Sequence, residues 1–231
     1  MDHTVKAFDD DLNELRGMIS EMGGRSEQAL SSAIEALANH DLRLADEIVE
    51  NDRLIDELEA QIEKRIVQVL ALRAPMADDL RDMVAALKIA GVVERIGDYA
   101  KNIAKRIPLM TANRSNEAVA LLQSMAEIAA EMVHDALDAF AARDSELAQR
   151  VCERDKAVDD FYSSIFRTMV TYMMENPRNI GESAHLLFVA RNIERIGDHA
   201  TNVAEMVHYA ATGSHLPDRE RGDNPTQAAA D

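Results

Sequence analysis

Pairs of acidic residues four positions apart recur in this sequence and are its most distinctive chemical feature. Glu94 and Asp98 form one pair, inside the segment Glu-Arg-Ile-Gly-Asp, and the same five residues return in a segment that begins at Glu194. On an α-helix, residues i and i+4 lie on one face, so the two carboxylates of a pair are neighbours. Like charges at this spacing destabilise a helix by roughly 0.2–0.5 kcal/mol. A repeated pair therefore predicts a bound cation that offsets the repulsion.

The acidic pairs come as two sets of four carboxylates, one set in each half of the chain. The eight candidate metal ligands are Asp52, Asp56, Glu94 and Asp98 in the first half, and Asp155, Asp159, Glu194 and Asp198 in the second half. If the helices that carry the two pairs of one half pack side by side, the pairs converge across the groove between them. Such an all-oxygen set suits Mg²⁺, Ca²⁺, Mn²⁺ or iron better than zinc.

The alternative interpretation is a solvated face on which the carboxylates pair with nearby basic residues. The candidate partners are Arg53, Arg95, Lys101, Arg154, Lys156 and Arg195. Exposed ion pairs contribute little to stability, so four matched acidic pairs favour a bound metal ion, with or without an anion. Glu94 and Asp98 project away from the apolar stripe of their own helix, so we expect the carboxylates on the outer face, without raised pKa values. His199, present in the second half only, is either an additional nitrogen ligand or ordinary polar surface.

The two halves are an internal duplication, which has to be recognised before the fold is assigned. Residues 94–104 and 194–204 are identical at eight of eleven positions. Apolar residues recur at helical spacing over 4–38, 41–74, 78–107, 116–141, 145–175 and 180–211. This periodicity predicts six long helices.

Local signals mark the ends of these helices. Asp41 and Asp144 are predicted N-caps, and Gly23 with Gly24 indicates a kink or a close helix contact in the first helix. We therefore predict an all-α fold, a tandem repeat of two antiparallel three-helix bundles, each large enough to bury its own core. The predicted boundaries are 1–111 for the first repeat, 112–212 for the second, and 213–231 for a disordered tail.

Composition narrows the class of protein. A net charge of −17 argues against nucleic acid as a partner, because phosphates would be repelled. Cys152 is the only cysteine, which excludes an intrachain disulfide and favours a reducing compartment. No apolar run reaches the roughly 18 residues that a membrane helix needs, and we predict a cytoplasmic protein. A nucleophile with its base and a glycine-rich phosphate loop are both missing, so we do not expect an enzyme.

The sequence resembles the PhoU family of phosphate-transport-system regulators over about residues 5–212. The resemblance rests on Asp79-Leu80-Arg81, on residues 85–90 and on the doubled Glu-Arg-Ile-Gly-Asp segment. The metal-binding pattern of the family, a repeated Glu/Asp-x-x-x-Asp pair, maps onto all eight carboxylates without a gap. The second half has Ile180-Gly181-Glu182 where the first has Asp79-Leu80-Arg81, so the halves need not be equivalent.

The resemblance implies a regulator rather than a catalyst, folded as a tandem pair of three-helix bundles. It implies a homodimer that links the ATPase subunit of the high-affinity phosphate ABC transporter to a phosphate-sensing histidine kinase, and that reaches the membrane only through these partners. The implied function is repression of phosphate uptake and of the phosphate-starvation response when phosphate is plentiful. The implied metal is iron, manganese, magnesium or zinc. A metal-buffering helical protein and a metal-dependent enzyme that uses the same carboxylates remain alternatives.

Overall fold

Helices make up nearly all of the chain that the structure describes. A computed structural model describes residues 2–111 and 116–217. The helices are α1 (Asp2–Asn39), α2 (Leu42–Asn51), α3 (Arg53–Arg73), α4 (Asp78–Arg106), α5 (Asn116–Ala142), α6 (Ser145–Glu175) and α7 (Ile180–Thr212), with short 3-10 turns at Ile107–Leu109 and Pro177–Asn179. No strand occurs in the described residues. The predicted all-α class is confirmed.

The predicted second helix is interrupted at one residue, Asp52, and is therefore divided into α2 and α3. Asp52 keeps helical backbone angles (φ −55°, ψ −35°), and its N–H still donates to the carbonyl oxygen of Ile48 at 3.2 Å. The interruption is so slight that α2 and α3 form one long arm. With this arm counted once, the described chain has the six long helices that the periodicity predicts.

Matched aspartates begin the second helix of each repeat, as predicted. The side chain of Asp41 accepts a hydrogen bond from the backbone N–H of Leu44 at 3.0 Å, and Asp144 accepts one from the N–H three positions further on at 2.9 Å. The residue before each cap, His40 or Arg143, has a φ of 54°. This left-handed residue reverses the chain, and the cap then satisfies a backbone donor of the next helix.

The two repeats pack side by side along two seams. Within each repeat the three helices are antiparallel neighbours, and across the repeats α4 packs against α7 while α1 packs against α5. α4 and α7 run antiparallel, because Arg106 near the end of α4 stacks 3.7 Å from the ring centroid of Phe188 near the start of α7. The buried apolar residues form one continuous core through both repeats. Each repeat is large enough to bury a core of its own, but the two repeats share one core because both seams bury apolar side chains.

Three helical glycines mark close packing between helices. α1 runs without a break through Gly23, where an added Cβ would lie 2.1 Å from Leu137 Cδ1 of α5. A Cβ on Gly97 would lie 2.7 Å from Ile55 Cδ1, and one on Gly197 would lie 3.3 Å from its neighbour on α6. Close approach, rather than a kink, therefore accounts for Gly23, whereas a Cβ on Gly24 would meet nothing within 4 Å.

The predicted joint between the repeats and most of the predicted tail lie outside the described residues. These are residues 112–115 and 218–231. Within the part of the chain that is described, no helix is both long enough and apolar enough to span a lipid bilayer.

Candidate functional site

Two acidic clusters flank the α4–α7 seam. The first cluster is Asp52, Asp56, Glu94 and Asp98, and the second cluster is Asp155, Asp159, Glu194 and Asp198. The first cluster combines carboxylates from the α2–α3 arm and from α4, and the second combines carboxylates from α6 and from α7. Because α3 packs on α4 and α6 packs on α7, the two acidic pairs of each half meet at one groove, as the spacing predicts.

Lys101 of α4 holds the two sides of the first cluster together. Its ammonium donates a hydrogen bond to Asp52 Oδ2 and forms an ion pair with Asp98 Oδ1. Burial alone would lower the pKa of Lys101, but the hydrogen bonds to these two carboxylates raise the pKa above its ordinary value. The lysine is therefore a permanent positive charge between two helices.

Three of the eight carboxylates are buried, which corrects the expectation that all of them lie on the outer face. Asp52, Asp155 and Glu194 are only 7%, 9% and 4% exposed, whereas the side chains of Asp98 and Asp198 are 41% and 35% exposed. The expectation considered the apolar stripe of one helix at a time. The neighbouring helix covers the edge of that stripe, so a carboxylate at the edge is enclosed between the two helices.

Burial and mutual repulsion raise the pKa values of the central glutamates, which also contradicts the sequence-based expectation. Burial, followed by the charge of Asp98, raises the pKa of Glu94 from 4.5 to about 7. Burial, followed by the charge of Asp198, raises the pKa of Glu194 from 4.5 to about 7. Burial also raises the pKa of Asp52, although Lys101 opposes the change. A cation that comes close to these carboxylates stabilises their charged form and lowers their pKa values.

The second cluster has a different set of hydrogen bonds and ion pairs. Thr201 Oγ1 donates to Asp155 Oδ1 at 3.2 Å and to the carbonyl oxygen of Gly197 at 3.0 Å. Glu194 Oε1 lies 2.5 Å from Arg191 Nη1. The second oxygen, Glu194 Oε2, is buried without a hydrogen bond, and Arg195 Nε lies 3.9 Å from it. Both oxygens of Glu194 therefore face guanidinium groups of the same helix.

Ion pairs with basic residues, the alternative interpretation, account for part of the arrangement. Lys101 reaches the first cluster, and Arg195, whose Nη1 lies 3.6 Å from Asp198 Oδ2, reaches the second. Arg154 points elsewhere and lies 2.7 Å from Asp135 of α5. Contrary to that interpretation, two of the ion-paired carboxylates, Asp52 and Glu194, are buried, whereas Asp98 and Asp198 stay partly exposed.

Sequence analysis missed two charged residues of the site. Glu59 of α3 adds a further carboxylate beside the first cluster, and burial, followed by repulsion from Glu63 and Asp56, raises its pKa. The missed cation is Arg191, which pairs with Glu194 in the second cluster. Both residues break the repeat, since the matched positions hold a tyrosine and a glycine. Glu59 was nevertheless detectable, because it follows Asp56 by three positions on the same helix face.

His199 lies between the repeats rather than on the surface. It is 8% exposed and packs against the ring of Tyr99. Burial lowers its pKa, and its Nδ1 atom is buried without a hydrogen bond. The imidazole is therefore held neutral, and its role as a metal ligand stays a prediction.

The donor chemistry of both clusters fits a hard cation, although neither cluster is closed around one. Among residues 2–111 and 116–217, no three His, Cys, Asp or Glu side chains are arranged, as they lie here, to hold a metal ion. In the first cluster the ammonium of Lys101, rather than a metal ion, lies between Asp52 and Asp98. Carboxylate oxygens are the donors that Mg²⁺, Mn²⁺ and iron prefer. The eight-residue ligand set stays a prediction.

Comparison with known proteins identifies relatives across the whole described fold. The PhoU domain family matches residues 19–107 and again residues 122–207. The chain is 53% identical to the phosphate-specific transport system accessory protein PhoU homolog of Zymomonas mobilis, over 95% of this chain and 93% of that protein. It is 44% identical to the protein of the same name in Rhizobium meliloti, over 95% of this chain and 92% of that protein.

Solved structures show the same architecture. The crystal structure of PhoU from Pseudomonas aeruginosa superposes with a TM-score of 0.82 at 38% identity, and covers 90% of this chain and 100% of that one. The phosphate transport system regulatory protein PhoU from Streptococcus pneumoniae superposes with a TM-score of 0.85 at 26% identity, and covers 91% of this chain and 100% of that one.

Proposed function

The chain belongs to the PhoU domain family, and from that premise we propose that it is a negative regulator of phosphate uptake and of the phosphate-starvation response. It acts as a cytoplasmic adaptor between the ATPase subunit of the phosphate ABC transporter and the phosphate-sensing histidine kinase. When phosphate is plentiful, the adaptor restrains uptake and keeps the starvation genes silent. The observation that carries this proposal is the match of the family to both repeats, among relatives named as accessory proteins of phosphate transport.

The charge of the molecule supports docking on basic surfaces of these partners. The chain carries a net charge of −17, and the two acidic clusters flank a single helix seam. A surface of one sign steers association with a surface of the opposite sign and disfavours partners of like charge. A protein of this kind works by binding, so its activity depends on its surfaces rather than on a catalytic pocket.

Metal binding at the eight carboxylates is the second part of the proposal. The residues that hold the metal are Asp52, Asp56, Glu94, Asp98, Asp155, Asp159, Glu194 and Asp198. Iron, manganese, magnesium or zinc held there would supply positive charge beside these carboxylates. Glu94 and Glu194, whose pKa values lie at about 7, release protons more readily when a cation is close. Positive charge at these positions would lower the negative charge of the docking surface.

Assembly into a homodimer completes the proposal. Large apolar side chains, among them Leu72, Met76 and Met174, are strongly exposed on the single chain. Exposed apolar side chains in number favour an interface. Light scattering after size-exclusion chromatography measures the mass in solution, and a mass of one chain at tens of micromolar contradicts this part.

A phosphate-regulated alkaline-phosphatase reporter tests the regulatory role directly. In phosphate-rich medium, we expect the reporter to be active when the gene is deleted and silent when the gene is restored. A reporter that stays silent in both strains contradicts the repressor role and leaves metal buffering as the better account. The same assay then compares Asp98→Asn with Glu57→Gln, a control that removes one exposed charge from the α3 surface.

A binding measurement tests the adaptor role separately from gene regulation. The purified chain is titrated against the transporter ATPase subunit and against the cytoplasmic part of the kinase, with Mn²⁺ supplied. We expect dissociation constants in the micromolar range or tighter. Lack of binding at tens of micromolar contradicts the adaptor role. A metal-dependent turnover that disappears in Asp98→Asn and Asp198→Asn while the fold survives identifies an enzyme instead.

A further inference from the structure

An open groove lies on the α4–α7 seam, at the end where α4 begins and α7 ends. It has a volume of about 630 Å³, and its lining residues come from 77–92 and from 202–215. Leu80 and Val84, one turn apart on α4, are each 42% exposed, and Tyr209 of α7 is exposed in the same groove. Large apolar side chains of two neighbouring helices therefore face solvent together, which is typical of a binding surface.

The internal duplication shows how the matched place at the other end of the seam is covered. There Arg106 of α4 lies 3.7 Å from the ring centroid of Phe188 of α7. The matched positions, 100 residues away, hold Met206 and Lys88, and both of these line the open groove. The stacked guanidinium and ring that cover one end are thus replaced at the other end by a thioether and an ammonium, which leave the apolar floor accessible.

Positive charge borders this apolar floor on the α4 side. Arg81 Nη2 lies 2.7 Å from Asp78 Oδ1, so the charge of Arg81 is partly offset. Lys88 is exposed and forms no ion pair within residues 2–111 and 116–217. Glu205, on the α7 side, is the one carboxylate among the described residues that line the groove. The charge of Lys88 is therefore available to a carboxylate from outside, although the chain as a whole is strongly acidic.

The shape of the groove fits a helix. Residues 77–92 span about 22 Å at the helical rise of 1.5 Å per residue, which is the length of a helix of roughly 15 residues. A groove between two helices with exposed apolar side chains accepts the apolar face of an amphipathic helix. Such a helix carries apolar residues at every third or fourth position and charged residues along the edges of that stripe.

We propose that this groove binds an amphipathic helix of a partner protein, with a carboxylate of that helix paired to Lys88. Leu80, Val84 and Met206 contact the apolar face of the bound helix. A second copy of this chain is a poorer occupant, because two chains with a net charge of −17 repel each other. The groove is a binding surface separate from the eight carboxylates, and the proposal does not depend on whether they hold metal.

Two labelled peptides test the proposal on the full chain. Both are helical, 15 residues long, and have leucine at every third or fourth position; one carries glutamate and the other glutamine along the edges of the leucine stripe. Fluorescence anisotropy measures the two dissociation constants. We expect the glutamate peptide to bind roughly threefold more tightly or better, as one exposed ion pair allows. The net charge of the chain favours the opposite order, so equal or tighter binding of the glutamine peptide overturns the proposal.

Substitutions at exposed positions then locate the binding surface. Lys88→Gln should abolish the preference for the glutamate peptide, whereas Lys105→Gln, which removes the same charge further along α4, should preserve it. Leu80→Ser/Val84→Ser should weaken the binding of both peptides about fivefold or more, because apolar contact area is lost. Val67→Ser, at an exposed position of α3, is the matched control and should change binding less than twofold. Circular dichroism verifies that each variant is folded.

Light scattering decides whether a second copy covers the groove instead. If the wild type is a dimer and Leu80→Ser/Val84→Ser is a monomer, the second copy is the occupant and the proposal is overturned. A dimer that persists in this variant uses another surface and leaves the groove to the partner helix. Peptide binding that is unchanged in Lys88→Gln and in Leu80→Ser/Val84→Ser also overturns the proposal. The reporter assay decides the regulatory role separately, since it involves neither peptide.

Discussion

The rings of Tyr99 and His199 meet edge to face, with centroids 5.2 Å apart and planes at 84°. The two residues hold matched positions in the two repeats, 100 residues apart. A contact between matched residues places a local two-fold axis between them, at the centre of the α4–α7 seam. Asp98 and Asp198 directly precede these rings in sequence, so one contact joins the helices that carry both acidic clusters.

A double-mutant cycle on these rings should reveal their coupling across the seam. Tyr99→Leu and His199→Leu keep apolar volume and remove the edge-to-face contact. We expect the two effects on the free energy of unfolding to be non-additive by roughly 0.5–1.5 kcal/mol. Urea unfolding of both single variants and the double variant measures this value. Tyr172→Leu combined with His199→Leu is the control and should be additive; equal additivity in both cycles contradicts a specific ring contact.

Replacement of glycine by alanine should have opposite effects at two helical positions. A Cβ on Gly97 would lie 2.7 Å from Ile55 Cδ1 and 3.4 Å from Ser26 Oγ, whereas one on Gly17 meets nothing within 4 Å. Alanine favours a helix over glycine by roughly 0.5–1 kcal/mol, so Gly17→Ala should stabilise. Gly97→Ala should destabilise by about 1–3 kcal/mol, because buried Ile55 has to move. Thermal unfolding measures the stability of both variants. If Gly97→Ala is as stable as Gly17→Ala, the core accommodates the added Cβ without a loss of stability.

The helices could be predicted from the sequence because their signals are local. Apolar spacing located each long helix, and the caps Asp41 and Asp144 are visible as single residues. The interruption at Asp52 was not predictable, since its backbone stays helical. The shared core could not be predicted either. The apolar pattern of one repeat does not distinguish residues buried within that repeat from residues that pack against the other repeat.

The candidate site could be predicted only in part. Repetition of acidic pairs identified eight carboxylates and their convergence, but the burial of Asp155 and Glu194 depends on the neighbouring helix. Residues outside the repeat pattern, such as Glu59 and Arg191, cannot be identified from a match between the two halves. Lys101 bridges two carboxylates because two helices lie at a particular distance from each other. The spacing of residues along one helix does not predict that distance.

Removal of Arg143 should destabilise the fold through the buried Asp82. Arg143 Nη2 lies 3.1 Å from Asp82 Oδ1, and Arg16 Nη2 lies 3.7 Å from the other oxygen. Arg143 also donates to the carbonyl oxygen of Ala210 at 3.2 Å, so the turn before α6 is tied to α4 and α7. We expect Arg143→Ala to lower the free energy of unfolding by about 2–4 kcal/mol, because Asp82 loses its closer partner.

Urea unfolding measures this loss, and an exposed ion pair provides the control. Arg43→Ala removes a partner of Glu47 on the surface of α2 and should cost less than about 1 kcal/mol. The double variant Asp82→Leu/Arg143→Leu should recover part of the stability, since it removes the buried carboxylate, although Arg16 then loses its contact with Asp82. If Arg143→Ala is no worse than Arg43→Ala, the buried ion pair does not stabilise the contact between the repeats.

The stability of the metal-free protein should fall as pH rises through the range in which Glu94 and Glu194 titrate. Their pKa values are about 7 in the fold and 4.5 as the ordinary value, so the folded state binds more protons between these pH values. The free energy of unfolding therefore decreases from pH 4.5 to about pH 7. Below pH 4.5 both states are protonated and the penalty is absent; above pH 7 it is complete. His199, whose pKa is lowered, acts in the opposite direction, because the unfolded chain takes up its proton first.

Comparison of the wild type with Glu194→Gln isolates the contribution of this glutamate to the pH dependence. In protein freed of metal by a chelator, Glu194→Gln should raise the free energy of unfolding at pH 7.5 by on the order of 1–3 kcal/mol. At pH 4.5 it should leave the free energy of unfolding unchanged. Urea unfolding at several pH values measures the difference, with the exposed Glu57→Gln as control. Parallel curves for wild type and Glu194→Gln contradict the raised pKa.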